Sequence, residues 1–72
     1  MAFTTRDAQR LQQYLQKKFG NTDIALRIRS QAEESVEVLL NGEFIGVIYR
    51  DDEDGGVSYD FNMAILEEDL PH

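Results

Sequence analysis

The residue types that the chain lacks narrow its chemistry. It contains no cysteine, and its only histidine is the last residue, His72. Disulfides and thiolate zinc sites are therefore excluded. A histidine-based metal site or a serine–histidine catalytic pair is not expected, because chain ends usually fray.

Long apolar runs are also missing. No run approaches the roughly 20 residues that cross a bilayer, and the first residues do not resemble a signal peptide. Seventy-two residues leave room for one hydrophobic core. We predict a single domain, residues 1–72, that is cytoplasmic and has no membrane contact.

Charge is abundant but unevenly distributed. The net charge is −7 at pH 7, which disfavours DNA, RNA and anionic lipid as partners. Residues 1–30 carry a net charge of +4, whereas residues 31–72 carry −11. Such asymmetry steers a partner or favours head-to-tail contacts, although the demands of solubility alone also produce it.

The first element is predicted to be a helix from about Thr5 to Phe19. Thr4 or Thr5 can cap its start, and the pair Gly20 and Asn21 can end it. Apolar residues recur at helical spacing on one face, and the opposite face carries the basic residues Arg6, Arg10 and Lys17.

After the helix, apolar residues alternate with polar ones, which predicts four strands. The dipeptide Asn41-Gly42 predicts a two-residue hairpin turn, which would pair Leu39 with Phe44, Val38 with Ile45 and Val36 with Val47. The fold class is therefore α+β: one N-terminal helix packed on a four-stranded antiparallel meander, with a possible short helical turn at the C-terminus. The predicted core comprises Leu11, Leu15, Phe19, Ile24, Leu26, Ile28, Val36, Val38, Leu40, Ile45, Val47, Tyr49, Val57, Tyr59, Phe61 and Met63.

The second face of this predicted sheet carries an apolar patch. Leu39, Phe44 and Ile48 fall there, among mostly polar neighbours. Three large side chains left in water would be unusual for a stable monomer if they are contiguous. Three interpretations stay open: isolated exposed residues, a cover formed by the C-terminal segment with Leu66 and Leu70, or a contact with a second copy or another protein.

The acidic and basic clusters of the sequence suggest other functions, but less strongly than the apolar patch suggests an interaction. The loop at residues 51–54 does not fit a calcium-binding loop, and weak cation binding there is left open. The carboxylates are not expected to converge in a pocket, so we predict no catalytic residue, metal or cofactor, and no enzyme. Arg6, Arg10 and Lys17 offer an alternative nucleic-acid contact, although aromatic residues that would stack on bases are not interleaved with them.

Two blocks of sequence resemble a known family. One is Leu11 through Gly20, and the other is Asn41 through Leu66, with Phe-Asn-Met-Ala-Ile-Leu as its most specific part. Together they are similar to a small alphaproteobacterial family recorded only as a domain of unknown function. The resemblance implies a bacterial cytosolic protein of one domain and brings no activity or ligand. From the residues, we predict a non-enzymatic module that docks on a protein or self-associates through Leu39, Phe44 and Ile48.

Overall fold

A computed structural model describes residues 3–28, 35–53 and 55–71. Within these residues a helix precedes a four-stranded antiparallel sheet, and a short 3₁₀ turn at Glu67–Asp69 follows it. The strands lie in sequence order, so the predicted α+β meander is confirmed. The helix and strands are α1 (Thr5–Phe19), β1 (Ile24–Ile28), β2 (Ser35–Leu40), β3 (Glu43–Asp51) and β4 (Ser58–Asn62).

Both ends of α1 are set by local hydrogen bonds. The backbone N–H of Asp7 donates to Thr4 Oγ1 at 3.0 Å, and the Thr4 N–H donates to Asp7 Oδ2 at 3.3 Å. This capping box satisfies donors that the helix itself leaves free. Gly20 has a positive φ of 62°, and the Asn21 N–H donates to the Gln16 carbonyl at 3.0 Å. The predicted helix ends are confirmed.

Two glutamines connect α1 to the backbone of β1. Gln12 Oε1 accepts a hydrogen bond from the Leu26 N–H at 2.9 Å, and Gln16 Nε2 donates to the Ile24 carbonyl at 2.9 Å. These bonds occupy backbone groups of β1 that have no strand partner, since β1 is a terminal strand of the sheet. The helix is thereby held along β1.

The β2–β3 hairpin contains a bulge that sequence analysis did not predict. Asn41 and Gly42 have φ values of 54° and 81°, as a type I′ turn requires, and Leu39 pairs with Phe44 as predicted. The register then shifts, because Val38 pairs with Gly46. One extra β3 residue is inserted at this point, so every later residue of β3 changes face.

This shift corrects the predicted faces of β3. Val36 pairs with Ile48, and Ile48 is only 2% exposed in the core. The prediction that Ile48 lies on the second face is therefore wrong. Tyr49 was predicted to be in the core, but it lies on the opposite face and is 49% exposed; half-buried Val47 shares that face.

The core lies between α1 and one face of the sheet. Its buried members are Phe3, Leu15, Ile24, Val36, Val38 and Ile48, and partly buried residues packed on them are Leu11, Leu26, Leu40, Ile45, Tyr59 and Phe61. Phe3 was not predicted; its ring centroid lies 5.7 Å from that of Tyr59 on β4. The predicted core positions that are instead exposed, besides Tyr49, are Phe19, Ile28, Val57 and Met63.

Candidate interaction surface

The sheet face opposite the helix, here called the open face, carries apolar side chains from two central strands. Leu39 on β2 lies beside Phe44 on β3, and Val47 and Tyr49 follow on β3. Leu39 is half-buried, whereas Phe44 is 52% exposed. The bulge therefore replaces Ile48 by Val47 and Tyr49 in the predicted patch.

The C-terminal segment forms a second apolar wall beside this patch. After β4 ends at Asn62, residues 63–66 leave the regular strand and lead into the 3₁₀ turn. A groove with a volume of about 620 Å³ lies between them and β3. Its lining residues are Glu43, Phe44, Ile45, Gly46, Val47, Tyr49, Asn62, Met63, Ala64, Ile65, Leu66 and Asp69.

The C-terminal segment borders the open face without covering it. Leu66 lines the groove together with Phe44, yet Leu66 remains 53% exposed. Leu70 is also exposed. Of the three interpretations of the apolar patch, a complete cover by the chain's own tail does not apply in the described residues.

The rim of the groove is acidic. Glu43 lies at its β3 end, and Asp69 lies in the 3₁₀ turn on the other wall. Within residues 3–28, 35–53 and 55–71, neither carboxylate forms an ion pair, and no lysine or arginine lines the groove. The two negative charges therefore face solvent without compensation.

A separate ion pair occupies another part of the open face. Arg27 and Glu37 are cross-strand partners on β1 and β2, and Arg27 Nε and Nη2 lie 2.7 and 2.6 Å from Glu37 Oε1. The charge of Arg27 is thus partly neutralised. Arg29, two residues further along the chain, lies outside the described residues.

Two carboxylates of the acidic loop after β3 have partners among neighbouring residues. Arg50 Nη1 lies 2.9 Å from Asp52 Oδ2, and Asp51 Oδ1 accepts the Glu53 N–H at 3.0 Å. Partial burial lowers the pKa of Arg50, but interactions with Asp52 and Tyr59 outweigh this and raise that pKa. Asp54 and His72 lie outside the described residues, and no metal-binding group of three or more acids or histidines occurs in the part that is described.

The basic residues of the alternative nucleic-acid site lie on the outer surface of α1. Arg6, Arg10 and Lys17 are all exposed. Arg10 also borders a cleft of about 220 Å³ with Asp7, Leu11, Tyr14 and Tyr59, which sequence analysis did not identify. The helix packs on the core face of the sheet, so its basic surface and the groove lie on opposite sides.

No helix in the described ranges is long and apolar enough to span a bilayer.

Comparison with known proteins identifies a family but no activity. No curated protein and no solved structure matches the chain. A family model described as "Protein of unknown function (DUF3126)" matches residues 7–69, a range that includes both walls of the groove. The chain therefore belongs to the DUF3126 family.

Proposed function

We propose that this protein is a non-enzymatic interaction module that binds another protein through the groove on its open face. The observation that carries the proposal is the meeting of exposed apolar side chains from β3 and the C-terminal segment in one concave surface. Phe44, Met63 and Ile65 are 52%, 51% and 66% exposed. Adjacent exposed apolar residues of this kind mark binding sites more often than isolated ones do.

The lining of the groove supports binding over catalysis. It contains no serine, threonine, cysteine, histidine or lysine in the described residues, so aliphatic hydroxyl, thiol, imidazole and amine groups are missing there. Its two carboxylates, Glu43 and Asp69, belong to opposite walls of a groove that is open to solvent. Paired carboxylates act in general acid–base catalysis when they converge on a substrate in a pocket that excludes water, and an open groove does not exclude water.

The charges around the groove favour a different protein over a second copy. A symmetric dimer through this groove would bring the acidic rims of the two copies together, each with Glu43 and Asp69, and Glu67 and Glu68 directly precede Asp69 in sequence. Like charges placed together across an interface are unfavourable.

We place the interaction in the cytoplasm, a proposal supported by the absence of cysteine.

The test compares two matched substitutions of exposed phenylalanines. Phe44→Glu places a charge in the groove, while Phe19→Glu makes the same change at the end of α1, where Phe19 is 57% exposed. Proteins captured from the source cells by each variant are quantified by mass spectrometry. A protein that is retained by wild type and Phe19→Glu but lost with Phe44→Glu is then purified and titrated by calorimetry.

Direct binding of the purified protein, weakened at least about tenfold by Phe44→Glu and unchanged by Phe19→Glu, is the expected result. If no captured protein depends selectively on Phe44, the proposal is overturned. Light scattering provides a second criterion. A dimer that Phe44→Glu dissociates would overturn the assignment to a different protein.

Nucleic-acid binding by α1 is the alternative function. It is supported by the exposure of Arg6, Arg10 and Lys17, none of which forms an ion pair in the described part of the chain. Titration with single-stranded RNA and duplex DNA at low salt tests it. Binding with a steep salt dependence that Arg10→Glu reduces would support this alternative, and the absence of binding at low salt would remove it.

A further inference from the structure

The pairing of β3 is incomplete on the side of β4. β2 pairs with β3 from Glu43 onward, whereas β4 pairs with it only from Val47, which lies opposite Asn62. Residues 43–46, here called the open stretch of β3, therefore have a strand neighbour on one side only. No described backbone hydrogen bond joins them to residues 63–66.

Strand geometry makes this open stretch a potential docking edge. In an antiparallel ladder, successive residues direct their N–H and C=O groups alternately to the two neighbouring strands. The bulge at Ile45 interrupts this alternation but gives the open stretch no second strand partner. Backbone groups of the open stretch that do not face β2 therefore have no strand to pair with. Unpaired groups along a sheet edge are a ready template for an added strand.

The groove lies where β4 would have continued. Extending the observed register would place Met63 opposite Gly46 and Ile65 opposite Phe44. Instead, residues 63–66 are not part of a strand, and they form the far wall of the groove. Its volume, about 620 Å³, falls within the range of clefts that hold ligands.

The walls and rim indicate the chemistry of the occupant. Exposed Phe44, Met63 and Ile65 suit large apolar side chains. The uncompensated carboxylates of Glu43 and Asp69 favour positive charge and repel nucleic-acid or lipid phosphates. An extended segment whose alternate side chains are apolar and basic satisfies both walls and rim.

We propose that the open stretch of β3 accepts an extended segment of a partner protein as an added strand, with apolar side chains in the groove and a lysine or arginine near Glu43 and Asp69. This inference rests on the proposed function and specifies its binding mode. Main-chain hydrogen bonds to β3 contribute affinity, and the groove and its acidic rim contribute specificity.

The test selects short random peptides displayed on phage against the wild-type protein, with counter-selection against Phe44→Glu. The most enriched peptide is synthesised and titrated into isotopically labelled protein, and amide exchange is followed by NMR. Glu43→Lys reverses a rim charge. Glu53→Lys is the matched control, since it changes the net charge equally in the exposed loop at the opposite end of β3.

The expected peptides carry lysine or arginine alternating with apolar residues. Binding should slow exchange of those amides in residues 43–46 that point away from β2. Glu43→Lys should weaken peptide binding about tenfold, while Glu53→Lys has a much smaller effect. Enrichment of acidic peptides, failure to enrich any peptide, or binding without amide protection in the open stretch would overturn strand addition. Protection, in the free protein, of those amides of the open stretch that point away from β2 would also overturn it, because residues 63–66 would then occupy the edge themselves.

These results are separable from those on the proposed function. A purified partner protein that depends on Phe44 but does not slow the exchange of any amide in residues 43–46 would sustain the interaction module and reject strand addition. Loss of every Phe44-dependent partner, combined with peptide binding that protects the open stretch, would reject the interaction module and leave strand addition as a property of the groove without a natural partner.

Discussion

Gly46 and Asn62 approach each other so closely that Gly46 has no space for a side chain. A Cβ placed on Gly46 would lie 2.6 Å from the backbone oxygen of Asn62 and 2.6 Å from Cε1 of Phe61. The Phe61 atom belongs to a side chain, but the Asn62 oxygen belongs to the backbone of the last paired residue of β4. The contact therefore lies where β3–β4 pairing ends and the groove begins.

Gly46→Ala should lower the free energy of unfolding by about 2 kcal/mol, because the backbone of β4 must shift to accommodate the methyl group. Gly56→Ala is the control, since a Cβ there meets nothing within 4 Å and its φ is not positive. We expect a change within about 0.5 kcal/mol at Gly56. Urea unfolding of both variants provides the measurement, and equal stabilities would contradict the close approach.

Truncation of neighbouring β3 residues should reveal which face of the strand is buried. Ile48→Ala removes a side chain that is 2% exposed and should cost about 3 kcal/mol of stability. Tyr49→Ala, at a position that is 49% exposed, should cost about 1 kcal/mol or less. Thermal and urea unfolding distinguish the two. A larger loss for Tyr49→Ala would restore the unbulged register.

The Gln12 hydrogen bond should protect one specific amide. Gln12→Ala removes the acceptor of the Leu26 N–H and should cost about 1 kcal/mol while accelerating exchange of that amide. Gln13→Ala is the control, since the neighbouring Gln13 is exposed. Amide exchange by NMR reports both variants. An unchanged Leu26 exchange rate in Gln12→Ala would reject this bond.

Thr4 should stabilise α1 through its hydroxyl. Thr4→Ala removes the acceptor for the Asp7 N–H and should lower the free energy of unfolding by about 1 kcal/mol. Thr5→Ala changes the same residue type one position later, where the side chain is exposed. If circular dichroism melts show the same loss for both variants, the cap is assigned to the wrong threonine.

Features set by neighbouring residues were predictable from the sequence. The cap at Thr4, one of the two candidate threonines, the stop at Gly20 and the turn at Asn41 and Gly42 all depend on contacts a few residues apart. The strand order of the meander followed from the alternation of apolar residues and the shortness of the turns.

The bulge was not predicted, because it depends on the approach of Gly46 to a residue in another strand. A sequence signal was nevertheless present, since a glycine inside a strand often marks a bulge or a close backbone approach. Without the bulge, the predicted register placed Ile48 on the open face and Tyr49 in the core, the reverse of their positions in the structure. Met63 was placed in the predicted core for a related reason: the alternation of apolar residues at 63–66 resembles that of a continuing strand, whereas these residues leave the sheet.

The hydrogen bonds from Gln12 and Gln16 have a consequence for the stoichiometry of any complex formed by strand addition. They engage backbone groups at the outer edge of β1 with the protein's own helix. These groups are therefore not available to pair with a strand of another molecule. Successive molecules are thereby hindered from stacking their sheets end to end through β1 into a growing fibre. Because the edge of β1 is blocked and the open stretch of β3 is free, we expect complexes of one protein molecule with one extended segment of a partner.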